Sequence, residues 1–308
     1  MIDDICRERY NYVGLLSIWA GTAKVVINGK GKYTGTVEKE FTIKKPSIAK
    51  ATVTLSTTKY TYNGKAKKPA VTVKLGKTTL KKNTDYTVSY KNNKNIGKAT
   101  VTIKGKGKYT GSLSKTYTIN AKNGTTFTYG AYKYKVTSTS AVAFTGVKSA
   151  KTTKVEIPKT VKYGGATFKV TEIADKALKG KTKVTKVTIG ANVKVIGDEA
   201  FSGCTKLSSV TLGKAVTTIE NKAFYKCTAL KSVTIPSKVT KIDKQAFSGC
   251  KNLKKITIKT TGLKTVGKES FKSINSKATI KVPSKKYSSY KKLLKGKGQS
   301  SSVKVVKY

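Results

Sequence analysis

Histidine is absent from this 308-residue chain. Its absence removes the commonest general base, the commonest metal ligand and every Ser-His or Cys-His catalytic arrangement. Carboxylates are also scarce, with 14 Asp and Glu residues against 64 Lys and Arg residues. A glycosidase needs two carboxylates at a sugar cleft, and no acidic pair lies in an aromatic-rich stretch. The sequence therefore predicts a non-catalytic protein with no cofactor and no metal site.

Arginine is nearly absent as well, because Arg7 and Arg9 are the only two and all other basic residues are lysines. Arginine binds phosphate and carboxylate through a fork of donors, whereas lysine is a hydrated point charge. Proteins that read nucleic acid usually combine both with aromatic platforms, so we expect no specific nucleic-acid partner. The formal charge of +50 favours a solvated lysine surface with non-specific affinity for polyanions. Binding of teichoic acid, sulfated or sialylated glycans, or extracellular DNA is the sharper alternative.

What the chain does contain is a 23-residue repeat, marked by Val187, Val210, Val233 and Ile256. Each copy reads Leu-x-x-Val-x-Ile, then x-x-Val-x-x-Ile, then Ala-Phe-x-x-Cys. A unit of this length cannot bury its own apolar face, so copies must stack into a solenoid. We expect the first part to form a strand and the Ala-Phe part to form a short helical turn whose Phe fills the interior.

Several Cys, Asp and Asn residues could suggest a metal or catalytic site. They recur at the same position of successive repeats, however, and this recurrence favours a structural role. The cysteines of one slot are Cys204, Cys227 and Cys250. We expect them to be small buried thiols about 5 Å apart. A zinc site would need about four convergent ligands, which this slot does not supply. A disulfide between adjacent coils stays open. The residues of another slot are Asp175, Asp198 and Asn221. We expect them to cap the short helices, since their side chains accept bonds from free amides at a helix start.

A second repeat precedes the first. Residues 21–43 and 97–119 are identical at 14 of 23 positions, with an offset of 76. The segment 21–45 is therefore predicted to be the tail of one module, and 46–120 a complete module. Within the complete module, apolar residues alternate with Thr, Ser or Lys, and Gly or Asn residues separate the runs. This pattern predicts six or seven short strands in an antiparallel β-sandwich.

The remaining segments fit neither repeat. Residues 1–20 contain no lysine, and acidic residues precede a short apolar part, unlike the order in a signal peptide. We interpret this atypical N-terminal segment as a truncation or an artefact of the gene model. Residues 121–170 are predicted to be a β cap, because the end of a solenoid needs its core covered. Repeats are then predicted for 171–280 and a C-terminal cap for 281–308.

Two family resemblances rest on these motifs. The segments 62–69, 85–97 and 105–111 resemble the immunoglobulin-like repeats carried in tandem by surface and secreted proteins of Gram-positive gut bacteria. The segment 233–250, Val-Thr-Ile-Pro-Ser-Lys-Val-Thr-Lys-Ile-Asp-Lys-Gln-Ala-Phe-Ser-Gly-Cys, resembles the leucine-rich repeat of the BspA-like family. The first resemblance implies a spacer, and the second implies adhesion at an extracellular or cell-surface location. Neither implies a catalytic residue.

The patterns predict a mainly β chain with a sandwich followed by a solenoid with short helical turns, and the resemblances imply that these are immunoglobulin-like antiparallel β-sandwich modules and a leucine-rich-repeat solenoid. The candidate partner-binding face consists of the exposed residues of the repeat strands and is small, polar and basic. Its residues are Thr185, Lys186, Thr188, Ser208, Ser209, Thr211, Lys231, Ser232, Thr234, Lys254, Lys255 and Thr257. Since Thr and Ser also suit exposed strands without any ligand, a purely structural role for this face stays open.

We therefore expect a non-catalytic surface or secreted protein whose immunoglobulin-like modules space the solenoid from the cell. Its partner would be a host matrix or bacterial surface protein, or an anionic glycan or wall polymer bound weakly and in a salt-sensitive way. The alternatives are the non-catalytic C-terminal part of a cell-wall hydrolase and a structural stalk without a ligand. No stretch is apolar enough to predict a transmembrane segment, and the oligomeric state stays open.

Overall fold

The computed structural model describes residues 10–12 and 20–308, which fall into two compact units. The units divide between Ile119 and Asn120, except that residues 61–63 group with the second unit. The atypical segment predicted at 1–20 lies almost entirely outside the described residues. The described residues are mainly β, which confirms that part of the predicted fold class. None of their helices has the length and apolar character needed to cross a membrane.

The described residues between Tyr10 and Asn120 form ten strands, and most of these strands alternate exposed with less exposed residues, as half-buried strands do. They are β1 (Tyr10–Tyr12), β2 (Gly21–Gly29), β3 (Thr36–Ile43), β4 (Thr52–Leu55), β5 (Lys59–Thr61), β6 (Val71–Leu75), β7 (Thr78–Thr79), β8 (Tyr86–Lys91), β9 (Gly97–Gly105) and β10 (Ser112–Asn120). A 3-10 helix covers Ile48–Lys50. The strands form three sheets, in the orders β1-β2-β3, β4-β6-β7 and β5-β10-β9-β8.

The two sheets of residues 46–120 bury side chains from both sides of one core. Val73 comes from the β4-β6-β7 sheet, and Val101 and Ile103 come from the β5-β10-β9-β8 sheet; all three are fully buried. The Tyr86 hydroxyl on β8 donates to the Val71 carbonyl on β6 at 3.0 Å and so connects the two sheets. Two stacked sheets with alternating inward residues are the arrangement of a β-sandwich.

Sixteen strands and one α-helix lie between Thr126 and Lys307. They are β11 (Thr126–Tyr129), β12 (Tyr132–Val136), β13 (Ala141–Val147), β14 (Lys154–Ile157), β15 (Thr160–Tyr163), β16 (Ala166–Ile173), β17 (Lys186–Ile189), β18 (Val195–Ile196), β19 (Ser209–Thr211), β20 (Thr218–Ile219), β21 (Ser232–Ile235), β22 (Lys241–Ile242), β23 (Lys255–Ile258), β24 (Thr265–Val266), β25 (Thr279–Val282), α1 (Tyr287–Leu294) and β26 (Lys304–Lys307). A 3-10 helix precedes α1 at Ser284–Lys286.

The repeat produces two ladders of parallel strands. The first ladder contains two sheets, β14-β17-β19 and β21-β23-β25-β26, and the second runs β16-β18-β20-β22-β24 within the largest sheet. Val187 pairs with Val210, and Val233 pairs with Ile256, so residues 23 positions apart lie on top of one another. The predicted solenoid is confirmed. Both ladders begin inside the segment predicted as a cap, because β14 pairs with β17 and β16 with β18.

The Ala-Phe segments form a third ladder made of turns, and the predicted short helical turns are wrong here. The Phe224 amide donates to the Ala246 carbonyl of the next coil at 2.8 Å, and alternate amides of the neighbouring turns do the same. The intervening amides bond within their own coil, as Tyr225 N–H does to the Lys222 carbonyl. Left-handed residues such as Lys222, with φ 53°, direct alternate amides along the stack. Because these amides bond between coils, no helix forms.

Phenylalanines fill the interior, as the repeat predicts. The four in successive coils are Phe201, Phe224, Phe247 and Phe271, all fully buried. Their ring centroids are 5.0, 5.2 and 5.8 Å apart, and neighbouring rings are tilted by only 8°, 2° and 3°. These separations lie in the range of favourable aromatic pairs. The column therefore supplies a continuous core through the turn side of the stack.

Aromatic residues cover both ends of the solenoid. At the N-terminal end, Phe127 stacks on Tyr163 with ring centroids 4.4 Å apart and on Tyr134 at 5.7 Å. At the C-terminal end, the buried Tyr290 of α1 donates its hydroxyl to the Thr260 carbonyl at 3.1 Å and accepts from the Leu263 amide at 2.8 Å. Terminal coils of a solenoid need such covers, because a stacked core is otherwise open to water.

The left-handed slot of the turns predicts a stability difference. Gly203 has φ 72°, and the same slot holds Lys226 with φ 54° in the next coil. We expect Gly203→Ala to lower the free energy of unfolding by about 1 kcal/mol, because a Cβ disfavours left-handed backbone. No steric clash contributes, since the nearest atom to the added Cβ is 3.7 Å away. Urea unfolding of the full chain measures the change.

The reverse substitution in the next coil is the matched control. Lys226→Gly relieves the same strain and is expected to leave the free energy of unfolding unchanged or to raise it, since the flexibility of Gly in the unfolded chain offsets part of the gain. Equal losses in Gly203→Ala and Lys226→Gly would contradict this explanation.

Candidate partner-binding face

The twelve residues predicted as a partner-binding face lie on or beside strands β17, β19, β21 and β23 of the first ladder. Nine of them are exposed, and Thr185, Thr188 and Thr257 are half-buried. Parallel pairing places Lys186 beside Ser209 and Ser232 beside Lys255. Outward side chains in equivalent slots of paired strands are neighbours. The ladder therefore arranges these residues in rows across two pairs of coils, β17 with β19 and β21 with β23.

The rows extend beyond the predicted residues. Glu156 of β14 pairs with Thr188, and Lys281 of β25 pairs with Thr257. Sequence reasoning missed both strands as part of the face. β14 lies in a segment without the repeat motif, and the step from Lys255 to its partner Thr279 is 24 residues instead of 23. Counting in steps of 23 loses the register at that coil.

The lysines of this face lie apart from most carboxylates of the solenoid. No ion pair within the described residues involves the face lysines Lys186, Lys231, Lys254 and Lys255. The carboxylates of residues 120–308 other than Glu156 lie along the second ladder and the turns: Glu172, Asp175, Asp198, Glu199, Glu220, Asp243 and Glu269. Ion pairs form there, with Lys241 at 2.6 Å from Asp243 and Lys272 at 3.0 Å from Glu269. The first ladder therefore keeps its positive charge.

A groove interrupts the face between β19 and β21, where the first ladder splits into two sheets. In the next coil, the Lys259 amide donates to the Ile235 carbonyl at 2.9 Å. Pro236 occupies the corresponding slot, 23 residues earlier, and has no N–H to donate. The groove encloses about 680 Å³, and its lining includes Leu212, Pro236 and Lys238. Its floor is partly apolar and its rim is basic, and Pro236 is the sequence signal that could have predicted the break.

The three repeat cysteines lie inside the stack, away from the face, and are free thiols. All three are fully buried, which confirms the predicted structural role. Cys227 Sγ donates to the Phe201 carbonyl oxygen of the preceding coil at 3.1 Å. Cys204 and Cys250 donate to the equivalent carbonyls, those of Leu178 and Phe224. Burial raises the pKa of Cys204 and Cys250 to about 12 and raises that of Cys227 well above its usual range. The described residues hold no metal-binding cluster of three or more His, Cys, Asp or Glu.

The recurring Asp and Asn residues do not cap helices, so that prediction is wrong. Asp175 Oδ1 accepts a hydrogen bond from the Asp198 amide of the next coil at 2.8 Å. Asp198 Oδ1 in turn accepts from the Asn221 amide at 3.0 Å. These side chains satisfy backbone donors between coils, at the point where the second ladder gives way to the turns. They remain structural, but their partners lie one coil away because the turn contains no helix to cap.

Two glutamates on or beside the second ladder, Glu172 and Glu220, have raised pKa values. Burial raises the pKa of Glu172, and the nearby Asp175 adds repulsion. Burial also raises the pKa of Glu220, with repulsion from Asp198, Asp175 and Glu172. Raised carboxyl pKa values mean that the ionised form is disfavoured in the fold. Burial, together with the stacking of acidic residues in successive coils, accounts for the raised pKa values of both glutamates.

The comparisons with known proteins agree with this repeat geometry. Residues 171–297 match six copies of the family described as BspA type leucine rich repeat region, and this region belongs to that family. No curated protein matches the chain.

Several solved structures are similar to the chain. A T. pallidum leucine rich repeat protein is 24% identical over 51% of this chain and 71% of its own, with a TM-score of 0.45. A leucine-rich repeat protein from Bacteroides capillosus is 30% identical over 43% of this chain and 97% of its own, with a TM-score of 0.39. A leucine rich cell surface protein from Faecalibacterium prausnitzii is 19% identical over 60% and 73%, with a TM-score of 0.23. These TM-scores are low, and all three proteins are described as leucine-rich.

The burial of the thiols predicts their reactivity. In a Cys6→Ser variant, we expect the three repeat cysteines to react with a disulfide reagent such as DTNB only as fast as the solenoid unfolds. The thiolate is the reactive form, and burial both raises the thiol pKa and blocks access. Release of the chromophore in native buffer, compared with denaturant, measures the effect. Rapid reaction of one equivalent in native buffer would contradict the buried ladder.

The raised pKa of Glu220 predicts a pH-dependent gain of stability. The ionised carboxylate is disfavoured in the fold, so Glu220→Gln is expected to raise the free energy of unfolding at pH 7. The gain should fade as the pH falls through the raised pKa and vanish below about pH 4, where the carboxyl is protonated in both states. Urea unfolding at a series of pH values measures the change.

Glu269→Gln is the control with the opposite sign. Hydrogen bonds from Lys272 and Gln245 lower the pKa of Glu269, so its charge supports the fold at neutral pH. This variant should lose stability at pH 7, and the loss should disappear in acid. The same sign for both variants at pH 7 would refute the assignment.

Proposed function

We propose that this chain, which carries BspA-type leucine-rich repeats over residues 171–297, is a non-catalytic cell-surface or secreted protein that binds a partner through the first strand ladder. The two-sheet module of residues 46–120 acts as an immunoglobulin-like spacer. The solenoid face is the binding part, because a stacked repeat offers one continuous outer surface while its interior is closed.

The observation that carries this proposal is the scarcity of carboxylates on the first ladder, where the face lysines Lys186, Lys231, Lys254 and Lys255 form no ion pair with the described residues. Unpaired positive charge on an exposed face attracts anionic partners and guides their approach. Elsewhere on the solenoid, carboxylates form ion pairs with lysines, as Lys241 does with Asp243. We therefore propose an anionic partner, of the kind of a wall polymer, an acidic glycan or the acidic surface of a protein.

The apolar floor of the groove adds a second feature to the same face. Val210 and Leu212 lie in its lining, and each retains 9% of its surface exposed to solvent, whereas Val187 in the preceding coil has none. Lys214, Lys238 and Lys259 also line the groove. A partner with an anionic group beside an apolar patch fits this combination better than a uniformly charged polymer does.

Two variants with equal loss of charge test the face. The face variant replaces Lys231, Lys254 and Lys255 with Ser. The control variant makes the same replacement at Lys194, Lys244 and Lys268, which lie along the second ladder and the turns. We expect the face variant to weaken binding to heparin by at least about tenfold and the control by less than about twofold. Biosensor titration at several salt concentrations measures both.

Salt provides the second arm of this experiment. Binding of the unmodified chain should weaken steeply as salt rises, because exposed charges are screened within about 10 Å at 0.1 M ionic strength. If both variants lose the same affinity, the attraction comes from the charge of the whole chain and not from the face. If affinity is unchanged at high salt, the electrostatic explanation is wrong.

A further inference from the structure

The first strands of the chain repeat the register of the complete module. β1 pairs with β2 at Tyr10↔Gly29, and β8 pairs with β9 at Tyr86↔Gly105. β3 pairs with β2 from Thr36↔Asn28, and β10 pairs with β9 from Ser112↔Lys104. Every one of these residues is offset by 76 positions from its counterpart. The β1-β2-β3 sheet therefore has the arrangement of β8-β9-β10 in the complete module.

The two equivalent sheets differ sharply in the burial of one face. In the complete module, Ile103 is fully buried and Tyr117 is 2% exposed. Their counterparts Ile27 and Phe41 are 40% and 41% exposed, and Val37 is 57% exposed. Val37 pairs across the strands with Ile27, and Phe41 pairs with Ala23, so these side chains share one face. We name this surface the half-sandwich face; Ile27, Val37 and Phe41 are its exposed residues, Val25 and Ile43 are half-buried, and Ala23 at its edge is buried.

In the complete module, the equivalent face is covered by the β4-β6-β7 sheet. That sheet contributes the buried Val53 and Val73. The Tyr117 hydroxyl also donates to the Lys67 carbonyl at 2.7 Å, in the segment that leads into β6. Phe41 has no hydroxyl, so its contact would be apolar only. Of the inward residues, Ala23, Val25, Ile27 and Ile43 are identical to their counterparts 76 positions later.

We propose that the half-sandwich face docks a second β-sheet of the kind formed by β4, β6 and β7, with Val and Leu facing inward and Thr and Lys facing outward. An apolar sheet face is stable in water only when another layer covers it. The complete module identifies the chemistry of that layer, because Ala99, Val101, Ile103 and Ile119, the identical counterparts of four inward residues, are fully buried there in the same register. This surface is independent of the strand ladder proposed above to bind an anionic partner.

A second copy of residues 46–96, inserted into the full chain immediately before Gly21, tests the proposal. The copy then joins Gly21 as residue 96 joins Gly97 in the natural module. We expect amide hydrogen exchange in residues 21–43 to slow by at least about tenfold, toward the rates of residues 97–119. Exchange in residues 154–307 is the internal reference and should not change.

The matched control carries Val53→Asp and Val73→Asp in the inserted copy only. Charges at these inward positions cannot be buried against Ile27 and Phe41, so exchange in residues 21–43 should stay fast. Phe41→Ser combined with the unmodified insertion should also abolish the slowing. If the unmodified insertion gives no slowing while residues 97–119 stay protected, the proposal is wrong, since the copy folds against the same inward residues in its natural place.

The other possible occupant is a second copy of this chain. Sedimentation of the natural chain distinguishes it: we expect a monomer, or an oligomer unaffected by Phe41→Ser. A dimer that Phe41→Ser dissociates would show that two half-sandwich faces cover each other, and this result would overturn the proposed sheet partner.

Discussion

Backbone hydrogen bonds between successive coils are the interaction on which the solenoid depends. In the strand ladders, parallel pairing places hydrogen bonds in both directions between neighbouring coils, and one of them runs from the Glu220 amide to the Ile196 carbonyl at 2.9 Å. In the turns, the Phe224 amide donates to the Ala246 carbonyl of the later coil. Buried amides and carbonyls need partners, and here a coil obtains them mainly from its neighbours. A single coil could not satisfy them alone.

This constraint assigns the residues of each coil to two environments. Inward positions hold the Phe column, the aliphatic strand residues and the thiols, all closed to solvent. Outward positions hold mainly lysine, threonine and serine, which a partner can reach together with the apolar floor of the groove. Apart from Glu156, the acidic residues of the solenoid lie on the side where Asp175 and Asp198 satisfy backbone donors. Their structural use there concentrates negative charge away from the first ladder and leaves the lysines of that ladder unpaired.

The need to cover an apolar layer applies to the first unit in a different form. The sheets of residues 46–120 cover each other, and Tyr86, Tyr90 and Tyr117 each donate a hydroxyl to a carbonyl of the facing segment. The β1-β2-β3 sheet carries nearly the same inward residues with much greater exposure. A sandwich thus depends on pairing two unlike sheets, whereas a solenoid depends on repeating one coil.

The sequence alone determined the solenoid, its inward residues and four strands of the exposed face, β17, β19, β21 and β23, because a 23-residue period can be buried only by stacking in register. It also determined the burial of Cys227, since any residue at that slot meets its own copies. Only the tertiary structure decided that the Ala-Phe segments are turns, that Asp198 bonds to the next coil, and that the first ladder breaks between β19 and β21. The physical reason is that local patterns specify which side chains turn inward, whereas the partner of each backbone amide is fixed only when a second coil lies beside it.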